Sequence, residues 1–287
     1  MTFVAYLAGN SWSLSYPKLY SMEIAGYIAS IFIGIALGLI GGGGSILTVP
    51  VLVFLFGVDA VAATAYSLFI VGLTSAVGSV GYFKKGLVNV KTAIIFGIPS
   101  IIAVFLTRAF IVPAIPNSLG KIGDFEITKS FLIMSLFAVL MIFASYSMIK
   151  KNKLPDANAK VEVQKFNYPL ILIEGVFVGL LSGLVGAGGG FIIIPALVAL
   201  SQLPLKEAIG TSLVIIAFNS FIGFFGESSE TIVDWTLIFR ISGFAIIGIF
   251  IGMALSKRVE TAKLKPAFGW FVLMMGVYII LRQTILK

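Results

Sequence analysis

The chain has 287 residues, of which 59% are hydrophobic and 11% charged, with no cysteine, no histidine and a formal net charge of +8. Soluble proteins are roughly 25% charged, so this composition belongs to a chain whose solvent is largely lipid. Without Cys and His there are no disulfides, thiol nucleophiles or imidazole bases and few ways to hold zinc or haem, so no cofactor is expected. The basic residues fall in short clusters between apolar runs, which suits membrane topology and anionic lipid rather than nucleic acid.

Residues 1–21 are mixed and aromatic, with Asn10, Ser11, Ser13, Ser15 and Pro17. They lack the basic start and small-residue cleavage site of a signal peptide, and are expected as a retained extramembrane or interfacial N-terminus. Apolar runs of about 20 residues then recur, each long enough to cross a hydrocarbon core about 30 Å thick. The first is expected from about Met22 to Ile40. Four consecutive glycines, Gly41, Gly42, Gly43 and Gly44, interrupt it, and the piece from about Ser45 to Phe56 is too short to span upright. Pro50 removes one backbone hydrogen bond and disfavours helix at Val49, so this piece begins at Ser45 with a kink or as late as Val49. Spans are expected over about Ala60 to Phe83, Val90 to Val112 and Ile127 to Ile149, with Lys84, Lys85 and Lys91 in the first intervening loop and Pro113, Pro116, Asn117 and Gly120 in the second. Residues 150–167 form the one long polar run and read as a linker. A second series follows: about Tyr168 to Val185, glycines, about Phe191 to Leu203, Leu205 to Phe225, Asp234 to Ser256 and Leu264 to Leu286.

The second series repeats the first. An offset of 145 residues carries Gly38-Leu-Ile-Gly-Gly-Gly-Gly-Ser-Ile-Leu-Thr-Val-Pro50 onto Gly183-Leu-Val-Gly-Ala-Gly-Gly-Gly-Phe-Ile-Ile-Ile-Pro195 without a gap. It also carries Ala63, Ser67, Leu68, Ser75, Gly78 and Gly81 onto Ala208, Ser212, Leu213, Ser220, Gly223 and Gly226. Repeats at a fixed offset mark a duplicated unit. The expected fold is therefore all-α: a polytopic helical membrane protein of two repeats, residues 22–149 and 168–287, each of about five helical segments around a glycine-broken helix.

Loop charge sets the orientation. The loops at Lys84 to Lys91, Lys150 to Lys165 and Lys257 to Lys265 hold twelve of the twenty Lys and Arg, whereas 226–234 holds only Glu227, Glu230 and Asp234. The basic loops are expected in the cytoplasm. Each broken pair contributes zero or two crossings and the other three spans make the total odd, so the second repeat is inverted relative to the first. This puts the N-terminus outside, as in secondary transporters. Arg282 and Lys287 disagree, since they fall outside.

Irregular backbone at membrane depth survives only when buried in protein or lining a watery cavity. A helix that restarts after glycines offers unbonded N–H groups and partial positive charge that a small anion can approach closely. Gly41 to Gly44 with Ser45, and Gly186, Gly188, Gly189 and Gly190, are the expected substrate contacts. The other reading of glycine is close packing, which Gly34 to Gly38 and Gly179 to Gly183 suit by their spacing. Ser67 and Ser212, with Tyr66 and Thr211 beside them, are placed to donate to an oxyanion or to bond between helices; Asn219 needs several partners. Of the intramembrane charges, Arg240 lies inside its span and Arg108 near the end of its own; each attracts an anion or snorkels to the headgroups. Glu174 is the one carboxylate with any claim to carry a proton, and the coupling ion is not readable.

The two glycine segments, followed by Ala63-Thr-Ala-Tyr-Ser-Leu68 and Gly210-Thr-Ser-Leu213, resemble the two signature segments of the TauE/SafE sulfite exporter family, over nearly the whole chain. The resemblance implies a secondary transporter, an exporter of sulfite or organosulfonates across the bacterial cytoplasmic membrane. Tyr66 stands where the second copy has Thr211, which bears on substrate choice. Its partners would be a small anion, the lipid bilayer and a coupling ion such as the proton, and the glycine-rich faces would permit a homodimer. The alternatives are a channel or transporter for another solute, including a cation held by the carbonyls of the breaks, and a membrane scaffold subunit.

Overall fold

The computed structural model describes residues 16–122, 125–149, 168–199, 203–227, 233–256 and 261–284, so the linker and most of the N-terminal segment lie outside the described residues. The chain belongs to helices because backbone in hydrocarbon has to satisfy its own hydrogen bonds. In order they are α1 (Tyr16–Ile40), α2 (Ser45–Phe54), α3 (Ala60–Phe83), α4 (Val90–Leu106), α5 (Val112–Ala114), α6 (Lys129–Ile149), α7 (Tyr168–Val185), α8 (Gly190–Ala199), α9 (Leu205–Phe225), α10 (Trp235–Leu255) and α11 (Thr261–Thr284). Among the described residues seven helical stretches are long and apolar enough to cross a membrane, including Val90–Ala114, and α2 and α7 add shorter apolar pieces.

Four of the expected elements take more definite form. Helix α1 starts at Tyr16, inside the stretch expected to precede the first span. Helix α2 starts at Ser45 and runs through Pro50, since a proline costs only the bond to the carbonyl four residues back when the rest of the ladder is intact. Helix α4 widens into a π turn, Thr107–Ile111, before α5 continues it. The loop after it closes as a hairpin of β1 (Ser118–Ile122) and β2 (Phe125–Thr128), antiparallel, with Gly120 opposite Ile127 and a register shift between Ser118 and Gly120. The fold is thus a helical membrane bundle with one small extramembrane-type hairpin.

Packing follows the repeat. Helix α1 lies along α10 and its counterpart α7 along α4, α3 pairs with α9 and α6 with α11, and α2 and α8 touch each other. The close pairs rest on missing side chains. A Cβ added to Gly34 would lie 1.9 Å from the carbonyl oxygen of Ala245, and one added to Gly179 would lie 2.4 Å from that of Ser100. At the next small residue, Gly38 faces the Ile249 carbonyl oxygen at 2.6 Å and Gly183 the Val104 carbonyl oxygen at 3.2 Å. Each of these pairs maps onto the other by the same offset. The spaced glycines Gly34, Gly38, Gly179 and Gly183 therefore serve close packing within the chain. Large apolar side chains go the other way: Phe32, Phe110, Phe143, Ile173, Phe225 and Met274 all point outward and are exposed. Without a hydrophobic drive between helices in lipid, small residues inside and large ones outside are the expected distribution.

Hydrogen bonds also exchange between the halves. The Tyr66 hydroxyl accepts from the backbone N–H of Asp234 at 2.8 Å, and Thr211 Oγ1 accepts from that of Asn89 at 2.9 Å. Asp234 and Asn89 are themselves the N-caps of α10 and α4, accepting from Leu237 and Thr92, each at 3.0 Å. Such a reciprocal exchange is the mark of a two-fold relation between equivalent surfaces. If the bare faces carry the packing, Gly34→Leu will lower the melting midpoint of the detergent-purified protein sharply, as overpacking costs about 1–3 kcal/mol or more. Gly243→Leu, at a site where a Cβ meets nothing within 4 Å, will leave the midpoint nearly unchanged.

Candidate functional site

The two glycine breaks lie face to face in the protein interior. Both begin alike. Gly41 (φ +78°) and Gly186 (φ +73°) end α1 and α7 in the left-handed conformation, and their N–H groups donate to Leu37 and Ser182 carbonyls at 2.8 and 2.9 Å. Their environments match across the repeat, with Gly41 against Ile209 and Gly186 against Thr64. The breaks then meet. A Cβ on Gly42 would stand 2.0 Å from the Gly190 carbonyl oxygen, and one on Gly190 would stand 2.8 Å from the Gly42 Cα and 3.0 Å from Ser45 Oγ. Every residue from Gly41 to Ser45 and from Gly186 to Gly190 is buried.

Beyond that contact they differ. In the first break, Gly43 is closed off by the Phe268 ring of α11, 2.8 Å from where its Cβ would be, and α2 starts without a side-chain cap. Ser45 spends its hydroxyl proton on the Gly42 carbonyl at 2.7 Å. In the second break, Gly188 (φ +63°) and Gly189 (φ +73°) both stay left-handed, and α8 then starts at Gly190. Here the neighbours are polar: a Cβ on Gly188 would meet Ser220 Oγ at 2.4 Å, and one on Gly189 would meet Ser182 Oγ at 3.3 Å. Both hydroxyls are buried, with 0% and 2% of Ser220 and Ser182 exposed, and neither has a hydrogen-bond partner among the described residues. A buried hydroxyl without a partner costs about 1–3 kcal/mol, which selects against it unless it serves something else.

The other expected contacts separate. Tyr66 and Thr211 accept from the starts of α10 and α4 in the opposite half, and so clasp the halves together. Ser212 is bonded to the carbonyls of Ile209 at 2.8 Å and Gly41 at 3.4 Å, and so supports the end of α1. Ser67, its counterpart, is buried with its hydroxyl unpartnered. Asn219 donates from Nδ2 to Ser100 Oγ at 2.7 Å, with Oδ1 unpartnered. Arg240 is exposed on α10, as a side chain that snorkels would be, whereas Arg108 is wholly buried. Glu174 is half-buried on α7.

Ser182 and Ser220 are the residues that the sequence reading undervalued. Ser182 was absorbed into the small-residue spacing of Gly179 to Gly183, yet it stands where the first copy has Leu37, and that departure was a signal. An apolar cavity of about 290 Å³ between α4 and α9, lined by Ile94, Gly97, Ile98, Val214 and Phe218 among others, has no polar group to hold an anion.

What the second break can do chemically follows from its parts. The first turn of α8 presents N–H groups and partial positive charge, bare glycines allow close approach, and two hydroxyls stand beside it. The model of the family described as "Sulfite exporter TauE/SafE" matches residues 27–279. A "Probable membrane transporter protein" of Xylella fastidiosa (strain 9a5c) is 29% identical over 88% of this chain and 92% of its own length. "Probable membrane transporter protein YdhB" of Bacillus subtilis (strain 168) is 24% identical over 84% of this chain and 93% of its own length. No solved structure matches. With its glycine breaks, seven apolar spans and a match from Tyr27 to Ile279, the chain belongs to the TauE/SafE sulfite exporter family and is a multi-pass membrane transporter.

Proposed function

We propose that this transporter carries a small sulfur oxyanion, sulfite or an organosulfonate, out across the cytoplasmic membrane, and holds it at the second glycine break. The observation that carries the reading is the pairing of left-handed Gly188 and Gly189 with the unpartnered, buried hydroxyls of Ser220 and Ser182 at the start of α8. The anion would accept from the N–H groups of Gly189, Gly190 and Phe191, ahead of Ile192 and Ile193, which donate to the Gly189 carbonyl, and from the two hydroxyls. Gly41 to Gly44 would act as the facing wall. The family's name supports a sulfur anion.

The two-fold exchange of contacts supports alternating access by two repeats, residues 22–149 and 168–287, moving against each other around the paired breaks. The axis runs in the membrane plane on this reading, because the end of α3 leads into Lys84 and Lys85 whereas the equivalent end of α9 leads into Glu227. The N-terminus is then outside and the three basic loops are cytoplasmic. The burial of both breaks supports a cycle that passes through an occluded state.

Titration calorimetry of the purified protein against sulfite, sulfoacetate, taurine, sulfate and chloride is expected to show binding of a sulfur oxyanion well above chloride. Gly188→Ala, which crowds Ser220 and strains the backbone, should lower that affinity by at least about tenfold. Gly57→Ala imposes a similar strain of about 1–2 kcal/mol at φ +66° with nothing within 4 Å, and should leave affinity intact. Equal affinity in wild type and Gly188→Ala would remove the anion from the second break. The chain has no cysteine of its own, so cysteines placed at Lys84 and at Ser229, its counterpart in the repeat, report topology directly. Lys84 should label from the cytoplasm and Ser229 from outside; labelling of both from one face would refute the inversion.

A further inference from the structure

One charged group inside the bundle is unused by that site. Arg108 lies in the π turn between α4 and α5, with none of its side chain exposed. Its Nη1 donates to Glu227 Oε2 at 2.5 Å, at the end of α9. Its Nε and Nη2 have no hydrogen-bond partner among the described residues. A guanidinium carries five N–H donors in a rigid plane, and Nε with Nη2 forms the edge that takes two oxygens of one anion side by side. Glu227 therefore neutralises the charge from one corner and leaves the two-toothed edge unmet.

The other half of the protein serves as an internal control. The repeat offset carries Arg108 onto Met253, and Tyr82 onto Glu227. The two corners pack alike: a Cβ on Gly226 would lie 3.3 Å from Arg108 Cβ, and one on Gly81 would lie 3.1 Å from Met253 Sδ. There Tyr82 donates its hydroxyl to the Gly38 carbonyl at 3.3 Å and has Lys85 Nζ over its ring, 5.6 Å from the centroid, with no buried ion pair at that corner among the described residues. So this corner of the fold is built satisfactorily from a thioether and a phenol. A buried ion pair is seldom a better way to hold helices together than neutral packing of the same volume, and charges within membrane spans mark ligand paths more often than scaffolding. π turns are themselves common at functional sites.

We infer that the Nε–Nη2 edge of Arg108 is a second oxyanion subsite, which takes a small anion with two oxygens on one central atom while Glu227 holds the opposite corner. Thr107 packs against Gly183 in the last turn of α7, whose end is the second glycine break, so the subsite lies beside that break. Glu227 is 9% exposed and links the buried guanidinium to the surface. The subsite extends the anion reading of the break but does not depend on it.

The test uses the full-length purified chain, titrated by calorimetry with sodium sulfate and sodium sulfite in a chloride background. The double substitution Arg108→Met with Glu227→Tyr rebuilds the corner in the form that the other half uses. It should fold with an unchanged or higher melting midpoint and lose at least about tenfold in affinity for an oxyanion that the wild type binds. Arg108→Lys keeps the charge and the carboxylate partner but lacks the fork; it should also weaken binding, and it carries the test should the double variant fail to accumulate. Affinity that falls in these variants, whatever Gly188→Ala does, supports the subsite. Affinity that is unchanged in them, with or without loss in Gly188→Ala, overturns it, as does a wild type that binds neither anion.

Discussion

Backbone that leaves the helical path at membrane depth has to be enclosed by protein, since no water is present there to satisfy it. The two glycine breaks impose that condition at two points in one chain, and the fold meets it by placing each against the other. Gly42 and Gly190 touch through bare backbone. To bring them together, α3 and α9 pair through the middle of the bundle, and α1 and α7 must run close along α10 and α4. The spaced glycines and the carbonyls of Ala245, Ser100, Ile249 and Val104 make those close approaches feasible. Small residues inside, large apolar residues outside and clasps between halves all follow from the need to enclose the breaks.

A duplicated unit in one chain is free to diverge, and here the divergence is informative. Both breaks end their first helix through a left-handed glycine, because that end is needed in either copy. After it, one copy was filled with a phenylalanine from α11 and the other acquired Ser182 and kept Ser220 beside its glycines. The same holds at the ends of α3 and α9, where Tyr82 with Met253 on one side answers to Glu227 with Arg108 on the other. Where both copies keep a feature, its role is in the architecture. Ser75 and Ser220 are equally buried, but only the second break sets such hydroxyls against its glycines, where the first sets a phenylalanine ring, so the two breaks offer different chemistry.

The hydroxyl-bearing residues show how one amino-acid type serves both ends. Thr211 and Tyr66 accept from backbone N–H groups at helix starts in the opposite half, which locks the two halves in register. Ser212 ties α9 to the end of α1. Ser182, Ser220 and Ser67 are equally buried yet have no such task. By residue type and depth these two groups are indistinguishable; only the partner on the neighbouring helix separates them.

The sequence alone determined that the chain lives in lipid, where its helices run, that it is duplicated and where each copy is broken. These follow from hydrophobic length and from runs of glycine, which are properties of consecutive residues. Helix ends are legible to within a few residues, and least definite at α1, α2 and the hairpin, where a proline or a short polar stretch leaves local preference weak. Only the tertiary structure decided which way each side chain faces. Arg240 lies deeper in its span than Arg108, yet Arg240 faces outward and Arg108, near a span end, is enclosed. Depth is a count along the chain, whereas facing depends on which neighbour lies across each helix surface, and spans this uniformly apolar carry almost no periodic signal of it.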